Sequence, residues 1–287
     1  MITVLRKNSG SVVLTWPGDS FFGADLIAAS LPFAVLFESD MRAANLRGAD
    51  LCNADLRGAR LSGATLTGAD VTLSDLTGAD CSGASLGDCR LQAVSKATHG
   101  ATRTLFRGAD CTRTTFRNSN LSACDFTDAS MQRADLTRTD LRDAILTGAD
   151  LAGADLSFSN LTNASLKHCS LVGATLTGCN LSGADFRGAD LTLATLNGVH
   201  CRGAQFTGTL WSKTVVARAT GLHESRGLDD VRFGDASSVD LWTLLESVDD
   251  LPNTWLEHTG VRAAGLNVAR ERAGQPLSPS RSTSAAS

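Results

Sequence analysis

An all-β solenoid is the fold class this sequence predicts, on three observations. Every fifth residue from Leu26 is apolar, through Leu31, Leu36, Met41 and Leu46 to Leu91, and the column resumes at Phe106 and runs on to Phe206. Two residues before each lies a column of small residues, as at Ala44, Ala49, Ala54, Ala59 and Ala144. Gly recurs at a third position of the same frame, as at Gly48, Gly58, Gly63, Gly68 and Gly78. A fixed short period is the signature of a repeat architecture, in which each unit buries its apolar face only against its neighbours. A period of five suits neither a helix, which wants spacings of three and four, nor a long strand, which wants two. A small and a larger apolar residue two apart do share one face of an extended segment. The other three positions then face outward and make a corner, where Gly takes positive φ without steric cost. If each pentad is one side and four sides close a coil, about twenty residues make one turn. At roughly 4.8 Å per coil the rod is about 45 Å long.

Residues 1–20 are the first element, an N-terminal hairpin and cap. Two apolar runs, Ile2 to Leu5 and Val12 to Leu14, flank the turn signal Asn8-Ser9-Gly10, and Pro17-Gly18 ends the second. The hairpin is expected to cover the first coil, whose open end would otherwise expose core and unpaired strand edge. Residues 21–211 are the solenoid. Within it, Ala44-Asn45-Leu46-Arg47-Gly48, Ala49-Asp50-Leu51-Cys52-Asn53 and Ala54-Asp55-Leu56-Arg57-Gly58 resemble the pentapeptide-repeat family, A-(D/N)-L-x-x, in one register over much of the chain. The resemblance implies a right-handed quadrilateral β-helix with the Ala and Leu columns inside.

The repeat has one defect, an irregular or looped stretch near 92–105. In register, the Leu column would hold Lys96 and Ala101, and the small column Val94, His99 and Thr104. An unpaired Lys96 is costly in an apolar interior. The segment therefore loops out or Lys96 swings to the surface, the whole standing in for two pentads. Lys96, His99 and Arg103 make it a candidate interaction loop, because interruptions of a regular scaffold often carry contacts. Phe106 and Phe126, one coil apart, are placed to stack.

Trp211 is expected to cap the last coil, and 212–265 to be a C-terminal capping segment with short helices. Ser238 to Ser247 has a helical apolar pattern with Ser238 as its N-cap, and Thr254 to Val261 reads as a second short helix. Residues 266–287 are expected to be a disordered tail, Ser-, Pro-, Ala- and Arg-rich from Gln275 and too polar to pack.

Composition narrows function. A net charge of −4 argues against direct nucleic-acid binding. No secretory signal is legible, and the longest apolar run, Leu26 to Phe37, contains Pro32 and is too short to span a bilayer. Of the eight Cys, Cys81, Cys111 and Cys201 fall in the Leu column and Cys89, Cys124, Cys169 and Cys179 in the small column; only Cys52 points outward. No pair has zinc-ligand spacing. These read as free, buried thiols in a reduced cytoplasmic setting. There is no P-loop, Gly-rich dinucleotide turn, H-E-x-x-H or nucleophile elbow, and the five His are dispersed. No metal, cofactor, membrane association or enzymatic activity is expected.

Counted at twenty residues per coil, one side carries Asp50, Asp70, Asp110, Asp150 and Asp190, and the adjoining side Asp55, Asp75, Asp135 and Asp155. Together they form a candidate interaction surface, an acidic stripe. Another side carries Arg47, Arg107, Lys167 and Arg187, with a basic cluster of Arg103, Arg113 and Arg117 beside the defect. A rigid scaffold binding a protein partner through a face or the loop is the first functional expectation. The family resemblance implies an alternative: some bacterial members mimic DNA, occupy the DNA-binding saddle of gyrase and confer tolerance to gyrase poisons. Those rods pair through C-terminal helices, which makes 212–265 a possible homodimer contact. A duplex mimic should be strongly negative, since DNA carries one charge per ~1.7 Å. This repeat region is nearly balanced, so the scaffold comes first.

Overall fold

In the computed structural model, which describes residues 1–91, 103–235, 237–239 and 251, the repeat region is a ladder of parallel bridges. Asp25 pairs with Asn45 and Asn45 with Thr65; Ser30 pairs with Asp50 and Asp50 with Asp70; Val35 pairs with Asp55 and Asp55 with Asp75; Asp40 pairs with Arg60 and Arg60 with Asp80. Partners are twenty residues apart, so one coil is four pentads, each giving one bridge. The four sides are numbered here from the rows that begin at Asp25, Ser30, Val35 and Asp40.

The pentad satisfies its own backbone. In Asp50 to Ala54, Asp50 N–H donates to Ala29 O in the coil before (2.9 Å). Leu51 and Asn53 N–H donate to Asp70 O (2.7 Å) and Thr72 O (2.9 Å) in the coil after, and Ala54 N–H closes the corner on Leu51 O (3.0 Å). The fifth, Cys52 N–H, donates to the Asp50 carboxylate at 3.0 Å. All five donors are thus used, as buried backbone requires. The corner residue is left-handed whether or not it is Gly: φ is 71° at Gly148, but also 62° at Phe158 and 59° at Leu73. Each non-Gly corner costs roughly 1–2 kcal/mol, offset by the two backbone bonds that the corner allows.

Among the described residues the Leu column is buried from Phe21 to Val216, and so is the small column apart from the partly buried Ala29 and Ser39. Where the small column holds Ser or Thr, the hydroxyl donates to a Leu-column carbonyl, one coil earlier for Ser74 to Leu51 O (2.6 Å), Thr114 to Leu86 O (2.7 Å) and Thr214 to Leu191 O (2.8 Å), and within the same turn for Ser39 to Leu36 O and Thr209 to Phe206 O. Cys89, Cys169 and Cys179 aim their S–H at Leu66, Leu146 and Leu156 in the same way. The thiols of the small column are therefore donors as well as small apolar groups.

The interruption adds a pentad. Asp80 pairs with Leu105, Ser85 with Asp110 and Arg90 with Thr115, each 25 residues apart, and the spacing returns to twenty at Leu105 and Asp125. Arg90 lies on the second side and Leu105 on the fourth, fifteen residues apart where other coils use ten. Lys96 and His99 lie outside the described residues. Beyond it Thr104 sits buried in the small column, bonded to Leu76 O at 2.8 Å. Phe106 and Phe126 stack at 4.7 Å and 4°, and Phe116 meets both edge-on at 6.1 and 5.8 Å. Such geometries favour the ring quadrupole, and they fill the core just past the added pentad.

The N-terminal hairpin is present, β1 (Ile2–Leu5) antiparallel to β2 (Val12–Trp16). It continues the third side: Val35 N–H donates to Leu5 O (2.8 Å) and Lys7 N–H to Phe33 O (2.9 Å). Val4 is buried, and Trp16 lies 6.0 Å from Phe21, so the hairpin covers the first coil.

Two expectations at the C-terminal end need correction. Trp211 is fully buried within the stack, and the ladder continues past it. After β3 (Thr195–Asn197), β4 (Leu210–Trp211) pairs in parallel with β6 (Arg232–Phe233), and β5 (Val215–Ala217) with β7 (Ser238–Val239). Partner spacing lengthens from 20 at His200 and Thr220 to 21 at Gln205 and Arg226 and 23 at Val215 and Ser238. Extra corner residues, including a 3-10 turn at Leu228–Asp230, erase the five-residue period while the inward columns persist. Ser238 is accordingly a strand residue, not a helix N-cap, because its N–H bonds Thr214 O at 2.9 Å. The rest of the expected helices and the tail lie outside the described residues. Among the described residues no helix is long and apolar enough to cross a membrane.

Leu151 is fully buried. Leu151→Ala should cost about 2–5 kcal/mol through the cavity it leaves, and Leu151→Asp should abolish cooperative unfolding by placing an unpaired charge in the column. Urea titrations followed by circular dichroism measure both; a Leu151→Asp midpoint equal to wild type would refute the inward column.

Candidate interaction surface

All nine stripe carboxylates are held at the start of their pentads by local bonds. Asp50, Asp70, Asp110, Asp150 and Asp190 accept from the N–H two residues on, at Cys52, Thr72, Thr112, Ala152 and Thr192, at 2.9 to 3.0 Å. Asp75, Asp135 and Asp155 take the N–H and the hydroxyl of Thr77, Thr137 and Ser157 together. Asp55 accepts Arg57 N–H at 3.3 Å and its guanidinium at 2.8 and 2.7 Å. The carboxylate is the acceptor that the second outward N–H of each pentad lacks. Asn serves equally, as Asn160 and Asn180 show.

The stripe is not straight. Asp50 and Asp70 share the second side with Asp135 and Asp155, while Asp55 and Asp75 lie on the third side and Asp110, Asp150 and Asp190 on the first. The reason is the added pentad, which sets every later residue back by one side relative to a count of twenty. Two acidic patches result, each two rows wide and offset by one side across the interruption. The basic side shifts likewise: Arg107, Lys167 and Arg187 belong to the fourth side, whereas Arg47 belongs to the first.

Much of the outward charge is paired. Arg42, Arg142 and Arg187 each fork onto the Asp two residues before, Asp40, Asp140 and Asp185. Arg107 bonds the buried Asp125 at 2.7 Å, and Arg113 forks onto Asp88 at 2.7 Å. Arg117 reaches Thr137 Oγ1 at 2.9 Å, so of the basic cluster only Arg103, exposed beside the interruption, has no such partner among the described residues. Among those residues five of the nine stripe carboxylates form no ion pair: Asp50, Asp110, Asp150, Asp155 and Asp190. The Asp-x-Arg spacing was legible, at Asp40 and Asp185 on the fourth side and at Asp140 on the third, but its meaning depends on the pentad's sharp corner.

The Arg42 guanidinium, hydrogen-bonded to Asp40, holds that carboxyl down at about 2 against an opposing push from burial. At Cys52, burial first and then the Asp70 and Asp50 carboxylates push the thiol up to about 12. That thiol is protonated at neutral pH and is no nucleophile. No three His, Cys, Asp or Glu among the described residues are grouped to hold a metal.

The model of the family described as pentapeptide repeats matches residues 20–58, 54–92, 104–143, 144–183 and 176–210. The chain belongs to the pentapeptide-repeat family. No curated protein matches it at a significant level. Among solved structures it is similar to HetL, a pentapeptide repeat protein involved in heterocyst differentiation regulation in Nostoc sp. strain PCC 7120, at 29% identity over 71% of this chain and 86% of that one, with a TM-score of 0.25. A pentapeptide repeat protein of the Arabidopsis thaliana thylakoid lumen is 32% identical over 37% of this chain and 63% of its own, TM-score 0.26. QnrB1, a plasmid-mediated fluoroquinolone resistance protein, is 16% identical over 85% and 93%, TM-score 0.34. At these TM-scores the likenesses carry nothing about function.

For a pentapeptide repeat this chemistry separates what an Asp does for the fold from what its charge does. Asp190→Ala should lower stability by about 1 kcal/mol, the worth of a lost cap-like bond, and Asp190→Asn should lower it far less; chemical denaturation of both variants compares them. The Asp40–Arg42 pair makes a pH prediction. A carboxyl whose pKa is depressed on folding stabilises fully above its unfolded value, near 4, and that contribution is lost as pH falls through about 2. The thermal midpoint of Arg42→Gln should therefore sit below wild type at neutral pH and converge on it toward about pH 2.

Proposed function

We propose that this chain is a non-enzymatic interaction scaffold, a rod that presents registered rows of outward side chains to a protein partner. The observation that carries the reading is that the outward carboxylates are fixed at their bases by backbone N–H groups and recur in rows every one or two coils. Little side-chain freedom is left to lose on binding, which lowers the cost of association. Asp110, Asp150 and Asp190, in one row and forming no ion pair among the described residues, suit a partner with a matching basic row. In this reading the rod has the right-handed, square-sectioned form that its family resemblance implies. It works in the cytoplasm, where its thiols stay reduced.

The DNA-mimic reading, with gyrase as partner, draws on the same carboxylates. Duplex phosphates run without a break at one charge per ~1.7 Å; here the acidic rows change side at the interruption and the fourth side is charge-paired. That difference places it second.

One variant set tests both readings. Replacing Asp110, Asp150 and Asp190 together by Asn keeps the backbone acceptors and removes three charges. The triple variant should match wild type in circular dichroism and lose the partner that wild type captures by in-cell crosslinking; full retention of that partner would refute the row as the binding surface. In gyrase supercoiling assays, with and without a fluoroquinolone, the purified protein should have no effect. Inhibition or drug rescue that the triple variant abolishes would make gyrase the partner.

A further inference from the structure

We propose that the N-terminal end of the rod docks end-on into the interfacial region of a lipid bilayer, through a collar of apolar side chains around its first coil. The collar occupies the second outward position of each pentad, the residue after the inward Leu. Around the first coil that position holds Phe22 on the fourth side, Ile27 on the first, Pro32 on the second and Phe37 on the third. From Ser62 to Ser212 the same position holds no apolar residue larger than Val172. Phe22, Ile27 and Phe37 are 61%, 54% and 50% exposed, and Val35 joins them on the third side. Toward the tip of the rod the hairpin adds exposed Met1, Leu5 and Val12. Seven of the eleven large apolar side chains exposed among the described residues thus lie before Asp40, at one end. Apolar surface gathered in this way marks an interaction site. The longest apolar run of the chain, Leu26 to Phe37, winds into this coil, and it is long because its outward residues are apolar as well as its inward ones.

The shape of the collar selects the occupant. It faces outward in four directions about the axis, so the face of a globular partner covers one or two sides and leaves the others in water. A lipid leaflet, fluid in its plane, closes around whatever end enters it. One coil behind the collar stands a girdle of Arg42, Arg47 and Arg57, on the fourth, first and third sides. Arg42 lies over the Phe22 ring at 5.6 Å and Arg57 over the Phe37 ring at 5.4 Å, while Arg47 forms no ion pair among the described residues. At about 4.8 Å per coil, a collar at the boundary of headgroups and acyl chains sets these guanidinium groups among the phosphates, which they fit in a fork. The depth is that of an interfacial helix, about 5–10 Å, so Arg6, Lys7 and the open edge of the hairpin stay in the hydrated layer. Through residue 60 six basic residues balance six acidic ones, and Arg42 and Arg57 already answer Asp40 and Asp55. The attraction is therefore apolar and needs neither anionic lipid nor low salt. The expectation of no membrane association rested on the length of the apolar run, which excludes a span and not a peripheral contact. The acidic rows beyond the interruption stay clear of the membrane, and the docking does not rest on their having a partner.

The test uses the full chain and vesicles of phosphatidylcholine alone. In a flotation gradient the protein should rise with the vesicles, as well in high salt as in low. Phe22→Ser combined with Phe37→Ser should weaken the binding at least about tenfold, with an unchanged circular dichroism spectrum. Phe158→Ser, at an equally exposed ring in mid-rod, should leave the binding as it was. Independently of those variants, an environment-sensitive fluorophore on Ile27→Cys or on Phe37→Cys, each in a Cys52→Ser background, should shift to the blue when vesicles are added. The same label on Thr67→Cys, two coils behind Ile27 on the first side, should not. A protein that stays at the bottom of the gradient overturns the proposal and leaves the collar to a protein partner. Binding that high salt releases, or that Phe158→Ser weakens as much as the double variant does, also overturns it. So does a blue shift on one side of the rod only, or one that reaches Thr67, because an end-on contact buries the first coil on all sides and nothing further along.

Discussion

The structure depends on one constraint: each five-residue side must satisfy five backbone N–H groups while turning a corner. Three donate to neighbouring coils, one closes the turn, and one is left over. That last donor, on the residue after the inward Leu, finds its acceptor in the side chain of the Asp or Asn before the Leu. The identity of the second residue in each A-(D/N)-L-x-x unit follows from backbone chemistry, as do the tight turn and left-handed corner beside it. Because every coil meets the same requirement, coils stack without a globular core, and stability is a sum of neighbour contacts along the rod.

The same constraint decides what the surface can offer. Carboxylates that serve the backbone appear in rows whether or not a partner exists, so their abundance says little about binding. What carries information is which of them also bear unbalanced charge. On the fourth side Arg at the second position after the Asp answers it, at Asp40, Asp140 on the neighbouring side, and Asp185. On the first side Asp110, Asp150 and Asp190 are followed by Thr112, Ala152 and Thr192, which answer the bond but leave the charge. Paired surface charges of the first kind contribute little to stability, while the uncompensated row gives the rod an oriented field.

Irregularities do the remaining shaping. The added pentad between Arg90 and Leu105 turns every later row by one side, and the Phe106, Phe116 and Phe126 cluster fills the core above it. At the C-terminal end, lengthened corners let the chain depart from the five-residue pattern while Val216, Leu228 and Val239 still pack against the column. At the N-terminal end the hairpin covers Phe21, but its own outer strand remains a strand edge.

By itself the sequence determined the repeating unit, because a residue's place within a pentad is a local matter. The inward columns, the outward Cys52, the Gly corners, the hairpin and the stacking of Phe106 on Phe126 all follow from spacing that any window of the chain displays. Only the tertiary structure decided how pentads line up across coils, since row membership accumulates over distance and a single added pentad resets it. For that reason Asp50 and Asp110, which a count of twenty puts in one row, stand on different sides. For the same reason Trp211 and Ser238, where the local pattern fades, belong to a ladder that parallel pairing alone reveals.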